Sequence, residues 1–220
     1  LAPVALANPI SADMAVMRTS LLPGLVGAVL RNTKRQQPRT RLYETGLRFL
    51  PGADGLRQVP TLAMVVGGPR FAESWAVAGQ AADFFDLKGD LESLFALTRD
   101  PAGVHFTAGE RAALHPGQTA AITRNGQSVG YIGALHPAAQ AALDLVAPLY
   151  VCEIDLEALL QGPLPRFTEL SRFPEVRRDL AVVVDKSLPA ADLMANVRAA
   201  AGSYLKDLRL GDGDEGKGIG

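Results

Sequence analysis

Polar and apolar residues alternate most regularly over residues 41–49, and this pattern predicts a long β-strand with its even-numbered and odd-numbered side chains on opposite faces. In the segment before it, apolar residues recur every three or four positions between Leu21 and Leu30, which predicts a helix with a core-facing stripe. We expect that helix to begin within Met17–Leu25, to end near Gln37, and to lead directly into the strand.

The same periodicities predict further elements in the first 160 residues. Asn125-Gly126 separates two apolar segments and is typical of a type I′ hairpin turn, in which both central residues take a positive φ. The other expected elements are strands over Thr61–Val66, Val104–Phe106, Thr119–Arg124, Gln127–Ala134 and Leu149–Leu156, a helix over Asp83–Phe95, and a short helix that ends at Leu160.

A Gly- and Pro-rich segment, Gln161–Pro165, predicts a domain boundary. We expect a first domain over residues 1–160, a linker over 161–170 and a second domain over 171–220. The second domain should contain a strand within Ser171–Asp185, a helix over Pro189–Ala201 and a strand over Leu205–Leu210. This β-α-β order suits the first part of a ferredoxin-like unit, which needs a second β-α-β to close.

Composition narrows the class of protein. With 220 residues, a net charge of −1 and 48% hydrophobic residues, the chain is expected to be a soluble globular protein, neither disordered nor polybasic. The single cysteine, Cys152, excludes an internal disulfide and suits a reducing cytoplasm. No apolar run approaches the roughly 20 residues that span a membrane. Leu1–Ala7 lacks the charged start of a signal peptide, and we expect the chain to begin partway into a longer protein.

Candidate chemistry from single residues is weak. Asp86 and Asp90 share a helix face with Glu92 nearby, which could suggest a metal, but Lys88 lies close and we expect a solvated face. Trp75 is expected to be an aromatic plug. The tail from Gly211 has P-loop-like spacing but no Ser or Thr to ligate magnesium. The three histidines and the cysteine are potential zinc ligands, but their spacing along the chain matches no compact zinc-binding motif. These residues are His105, His115, His136 and Cys152.

Basic residues cluster around the end of the first helix. This position suits the helix dipole, so a solvated helix end and a contact with RNA phosphates both remain open. The residues are Arg31, Lys34, Arg35, Arg39 and Arg41.

The helix–strand pair resembles the second signature of class II aminoacyl-tRNA synthetases, where an Arg-Thr segment and a helix lead into a core strand. In catalytic members the Phe of this strand is followed by an Arg that binds the α-phosphate of ATP. Here Phe49 is followed by Leu50 and Pro51, which offer no charge and, at the proline, no N–H. The Gly-rich strand and Arg of the third signature are also missing from Tyr150–Leu156.

A series of phrases, in order and spacing, is similar to the C-terminal part of bacterial phenylalanyl-tRNA synthetase β subunits. The phrases are Asn8-Pro-Ile-Ser11, Met17-Arg-Thr-Ser-Leu-Leu22, Arg41-Leu-Tyr-Glu44, Phe85-Asp-Leu-Lys-Gly-Asp-Leu-Glu92, Leu114-His-Pro-Gly-Gln118, Gly130-Tyr-Ile-Gly133 with His136-Pro137, and Ser171-Arg-Phe-Pro174 with Arg177-Arg-Asp179.

This resemblance implies an α+β fold, with an antiparallel class II synthetase-like sheet flanked by helices and then a partial ferredoxin-fold anticodon-binding domain. It implies that this chain is a part of the β subunit and that it holds no catalytic, cofactor-binding or metal-binding residue. The α subunit of an α2β2 tetramer would join phenylalanine to its tRNA with ATP and magnesium. Residues that could contact tRNA are Arg172, Arg177, Arg178 and Lys217, and the arginines could instead pair with Glu169, Glu175 or Asp179.

The tail departs from the family pattern. The family places aromatic residues in the loop near Leu210, whereas this chain has Gly211, Gly213 and Asp214 there, so no aromatic base contact is carried over. Two alternatives to a silent scaffold remain open. One is an autonomous ATP-dependent ligase that uses Arg48 or Arg57 in place of the missing arginine. The other is an amino-acid-binding regulatory module built on the ferredoxin-like half.

Overall fold

The computed structural model describes residues 3–52, 55–98, 103–161, 167, 174 and 176–211. The chain divides into two compact units, Leu1–Phe167 and Thr168–Gly220. Among the described residues, no helix combines the length and apolar character that a membrane crossing requires.

An antiparallel sheet of six strands forms the centre of the first unit. The strands are β1 (Thr40–Gly52), β2 (Gly55–Gly67), β3 (Val104–Ala108), β4 (Leu114–Arg124), β5 (Gln127–Leu135) and β6 (Leu149–Asp155). Their order across the sheet is β1-β2-β6-β5-β4-β3, so β6 returns to the centre between two hairpins.

The sheet contains two long hairpins, of which the sequence predicted the second. β1 and β2 pair along their whole length, from Thr40 opposite Gly67 to Gly52 opposite Gly55. The turn between β4 and β5 has φ of 49° at Asn125 and 78° at Gly126, as a type I′ turn requires. The predicted Asn-Gly hairpin is therefore confirmed.

Two long helices cover opposite faces of the sheet. Helix α1 (Leu22–Lys34) packs on the face that carries Ala63 and Val65, and helix α2 (Phe84–Ala96) packs on the face that carries Leu62 and Val66. Because alternate residues of a strand point to opposite faces, β2 contributes side chains to both cores. Two short helices complete the unit: α3 (Pro137–Ala142) and α4 (Leu156–Leu160).

Several boundaries differ from the sequence-based prediction for local reasons. Helix α1 ends at Lys34 because Gln36 has a φ of 61°, in the left-handed region that a helix cannot continue through. Strand β1 continues past Phe49 through Gly52, because backbone pairing with β2 carries on to the turn. Gly89 lies inside helix α2 without any close neighbour, since a Cβ at this position would meet no atom within 4 Å.

Trp75 is a second correction. It is fully exposed at 100%, so it is not a plug within this chain. It lies on a loop whose neck is closed by a bridge between Pro69 and Ala81 and by a 2.8 Å hydrogen bond from the Arg70 N–H to the Gln80 carbonyl. The closed neck holds the tip of the loop away from both cores.

The described part of the second unit contains helix α5 (Ala190–Ala201), followed by a 3-10 turn over Gly202–Tyr204. The predicted helix is confirmed. No strand is assigned over 176–185 or 205–211, where strands were expected. In a split β-α-β unit the two strands are separated by a third, to which both must hydrogen-bond. Among the described residues no segment occupies that central place, and neither flanking segment is assigned to a strand ladder.

Candidate functional site

The end of β1, where a catalytic relative would bind phosphate, carries no cation in the position after Phe49. Leu50 is half-buried and lies opposite Arg57 of β2, and Pro51 lies opposite Leu56. Arg57 is exposed, near the turn of the hairpin. Two arginines therefore share the face of Leu50: Arg57, directly opposite on β2, and Arg48, two residues earlier in β1.

Arg48 is occupied by internal partners. Its Nε donates to the Thr61 hydroxyl at 2.7 Å, and its Nη1 lies 3.3 Å from Oε2 of Glu153. Its side chain is only 15% exposed and the side chain of Glu153 is 1% exposed. A guanidinium held this way has its charge compensated inside the sheet, so it does not present a free fork to a phosphate.

Glu153 is the centre of a buried polar network on the face that α1 covers. Its Oε1 accepts hydrogen bonds from the Ser20 hydroxyl at 2.9 Å and from the Leu21 N–H at 2.7 Å. Its Oε2 accepts from the Tyr131 hydroxyl at 2.9 Å as well as from Arg48. A buried carboxylate is tolerated only when paired and hydrogen-bonded, and these four donors meet that condition.

Tyr131 responds electrostatically to this environment. Burial and the adjacent negative charge of Glu153, to which its hydroxyl donates, raise the pKa of Tyr131 well above its ordinary value. The guanidinium of Arg111 lies 3.7 Å from the centre of the Tyr131 ring and acts in the opposite direction. Tyr131 therefore remains a protonated donor that holds Glu153 in place.

The Arg-Thr segment is anchored beside the same network. The Arg18 guanidinium donates to the Leu47 carbonyl at 3.0 Å and pairs with Glu44 at 2.5 Å. The backbone of Arg18 also accepts a 2.9 Å hydrogen bond from the Phe49 N–H. Arg18 crosses the strand at Gly46, where any Cβ would displace its guanidinium. The segment before α1 thus forms one wall of the network.

The acidic residues on α2 have structural partners. Asp86 forms a capping box with Asp83 and pairs with Arg70 at 2.6 Å. Asp90 pairs with Arg41 at 2.5 Å, and Glu92 pairs with Lys88 one turn away. Among the described residues, no group of three or more His, Cys, Asp or Glu is arranged to hold a metal ion.

The remaining candidates also have local roles. His115 and His136 each accept a hydrogen bond at Nδ1 from a backbone N–H two residues later, from Gly117 and Ala138 respectively. Cys152 is fully buried, and burial raises the pKa of its thiol, which makes it a poor nucleophile.

Only two of the four residues with a predicted tRNA contact can be located. Arg177 and Arg178 lie in the second unit with both side chains exposed, and Arg178 donates to the Arg177 carbonyl at 3.1 Å. Arg177 also lies close enough to Asp207 to help lower the pKa of that carboxyl, though Arg209 is the main cause. Arg172 and Lys217 lie outside the described residues.

Comparison of the sequence with known protein families gives two matches. The sequence profile described as "Phenylalanyl tRNA synthetase beta chain CLM domain" matches residues 1–156. The chain belongs to this family. A second profile, "Ferredoxin-fold anticodon binding domain", matches residues 171–220. The family match confirms the predicted resemblance to phenylalanyl-tRNA synthetase β subunits.

Individual relatives are similar over nearly the whole chain. The phenylalanine–tRNA ligase β subunits of Pseudomonas fluorescens and Haemophilus influenzae are 51% and 47% identical to it, over 99% and 97% of this chain. The chain spans 27% of the length of each of these curated relatives. A solved pyrrolysyl-tRNA synthetase from Desulfitobacterium hafniense matches with a TM-score of 0.49 and 14% identity, over 71% of this chain and 52% of that one.

Glu153 is the residue that sequence analysis missed. A signal for it exists, because it is the one charged residue inside the otherwise apolar run Tyr150–Ile154. A charge in a buried strand needs a partner. Its partners are 22 to 133 residues away in the chain, so sequence proximity could not have named them.

Proposed function

We propose that this chain is a non-catalytic structural and tRNA-docking part of the β subunit of a phenylalanine–tRNA ligase. A companion α subunit would attach phenylalanine to its tRNA with ATP and magnesium, in an α2β2 complex of the cytoplasm. The observation that carries the proposal is the buried pair between Arg48 and Glu153. It occupies Arg48, the arginine of β1 on the face of Leu50, whereas the other arginine on this face, Arg57, belongs to β2 and is tested below.

At its end, strand β1 itself offers ATP no free cation. The triphosphate needs cations or a cluster of N–H donors. Leu50 supplies no charge and Pro51 supplies no N–H, while Arg48 is neutralised by Glu153. No catalytic step is assigned to these residues, and their role is to hold the sheet and the helix α1 together.

Calorimetric titration of the chain with ATP, in the presence and absence of phenylalanine and magnesium, tests this role. We expect no binding heat at high micromolar protein. Stoichiometric ATP binding would contradict the proposal and favour an autonomous ligase. Arg57→Ala would then be informative, because Arg57 is the exposed arginine of the two candidates.

The tRNA-docking part of the proposal rests on the basic turn of the second unit. Arg177 and Arg178 are exposed, as binding to phosphates requires. In the full-length subunit, the double variant Arg177→Glu/Arg178→Glu should weaken tRNA binding. It should also reduce the slope of log affinity against log salt by about 1 for each phosphate that the variant no longer neutralises. An unchanged slope would mean that both arginines serve the protein surface, and the same measurement applies to Arg172 and Lys217.

A regulatory amino-acid-binding module is distinguished by deletion. That function predicts saturable phenylalanine binding which disappears when the residues after Gln161 are removed. The silent scaffold predicts no saturable phenylalanine binding by this chain with or without those residues.

A further inference from the structure

An apolar groove of about 400 Å³ lies where the C-terminal end of α1 meets the ends of β1, β2 and β6. Its walls come from α1, from the neck of the Trp75 loop and from the segment before β6. The main apolar lining residues are Val29, Pro38, Pro69, Val146, Pro148 and Leu149. Val146 is 95% exposed at its mouth.

Two glycines make the walls of this groove meet closely. Gly68 has a φ of 75°, and a Cβ there would lie 1.9 Å from the Pro38 carbonyl oxygen. A Cβ on Gly67 would lie 2.9 Å from Cδ1 of Leu149. Neither position tolerates a larger residue without movement, so the groove is a preformed feature of the backbone.

The lining also contains an unsatisfied hydroxyl. Thr40 is 3% exposed, and its Oγ1 has no hydrogen-bond partner among the described residues. A buried hydroxyl without a partner is costly, and most such groups in folded proteins are satisfied. Solvent does not reach this oxygen, so the hydroxyl belongs to the wall of the groove and is not itself a contact point for an occupant.

The rim of the groove is positively charged on the side of helix α1. Lys34, Arg35 and Arg39 are exposed and directly flank the lining residues Thr33, Pro38 and Thr40. Within the part of the chain that the structure describes, none of the three forms a salt bridge. Asp144 is the one acidic residue that flanks the lining on the other side. The dipole of α1 explains why basic residues follow the helix, but it does not explain an open apolar groove beside them.

We propose that this groove docks an amphipathic segment of the companion subunit, with apolar side chains in the groove and acidic residues against the basic rim. The inference rests on the proposed function, which supplies the companion subunit. Charge complementarity favours an acidic protein segment. A nucleic acid fits less well, because sites for single strands combine basic residues with aromatic platforms, and the lining contains no aromatic residue.

Site-specific photocrosslinking in the assembled full-length ligase identifies the occupant directly. A benzoylphenylalanine at position 146 should crosslink to the companion subunit, at a segment that contains both apolar and acidic residues. Position 97 serves as the control, because Leu97 is 85% exposed and does not line the groove. Crosslinks from position 146 to tRNA, to the same chain or to a second β subunit would overturn the inference, as would the absence of any crosslink specific to position 146.

Two groups of variants test the energetics of docking. Val146→Glu and the double variant Arg35→Glu/Arg39→Glu should each weaken the association of the full-length β chain with the purified companion subunit, by about tenfold or more. The effect of the double variant should shrink at high salt. Arg57→Glu is the matched control, since Arg57 is an exposed arginine at the opposite end of the β1–β2 hairpin.

The outcomes separate the inference from the proposed function. If the unaltered chain associates with the companion subunit and both groove variants do so equally well, the groove is not the docking site and the inference fails alone. If the unaltered chain does not associate at all, the proposed function fails.

Discussion

The first and second units each contain a run of three apolar residues, mostly valines, and the two runs differ in burial and in secondary structure. Met64-Val65-Val66 lies in β2, where Val65 and Val66 are 0% and 2% exposed. Val182-Val183-Val184, in the second unit, is 46% to 103% exposed and is not assigned to a strand. β-branched residues favour extended chain in both places, so local preference does not explain the difference.

The difference teaches that a strand is completed by its neighbours. β2 hydrogen-bonds to β1 on one side and β6 on the other, and helices α1 and α2 cover its two faces. Apolar burial and backbone pairing are therefore gained together in the first unit. The described part of the second unit has the helix of its motif but no segment between the two expected strands.

The largest loss of stability should follow from a change in the polar network around Glu153. Glu153→Ala leaves Arg48 buried without its counter-charge and removes the acceptor of three other donors. We expect a loss of about 3–5 kcal/mol in the free energy of unfolding of the first unit. Urea unfolding followed by circular dichroism measures this, with the exposed Glu73→Gln as control. A loss below about 1 kcal/mol would show that the network is peripheral to stability.

The comparison of the two valine segments can be tested directly. Val65→Ala opens a cavity in a fully buried site and should cost about 2 kcal/mol in the free energy of unfolding. Val183→Ala should stay within about 0.5 kcal/mol, because the side chain is already in solvent. Equal losses in denaturant titrations of the two variants would mean that residues 182–184 are buried in solution.

A smaller effect, of opposite sign, is expected in helix α2. Gly89 lies inside the helix, and an added Cβ would meet no atom within 4 Å. Gly89→Ala should therefore raise the free energy of unfolding by about 0.5–1 kcal/mol, through the higher helix propensity of alanine. Thermal unfolding provides the measurement, and Gly126→Ala is the contrasting variant. Gly126 has a φ of 78°, so alanine should destabilise the hairpin turn.

The smallest expected change in stability arises from Asp86 and should depend on pH in the acidic range. Burial alone would raise the pKa of Asp86, but the Asp83 N–H and the Arg70 guanidinium outweigh it and lower that pKa below its ordinary value. The group therefore contributes stability above the unfolded-state pKa and loses this contribution as the pH falls through the folded-state value. The gap in stability between the unaltered chain and Asp86→Asn should narrow below about pH 4. Asp13→Asn, at an exposed aspartate of the same unit, is the matched control for the substitution itself.

Local patterns were sufficient for much of the first unit. The Asn125-Gly126 turn, the alternation along β1 and the apolar stripes of α1 and α2 depend on neighbours within a few residues, so the sequence already specifies them. The same holds for the absence of a cation after Phe49, which removes the phosphate ligand of the class II frame wherever the strand lies.

Tertiary structure alone decided the state of the charged and apolar groups whose partners are distant in the chain. The sequence left Arg48 open as a replacement phosphate ligand, but the fold places Glu153 of β6, 105 residues along the chain, beside it. Residues 182–184 have the composition of a strand, but no strand is assigned to them, because a strand also needs backbone neighbours to pair with. Periodicity reports which side chains share a face, but pairing of charges and strands depends on contacts that only the folded chain brings together.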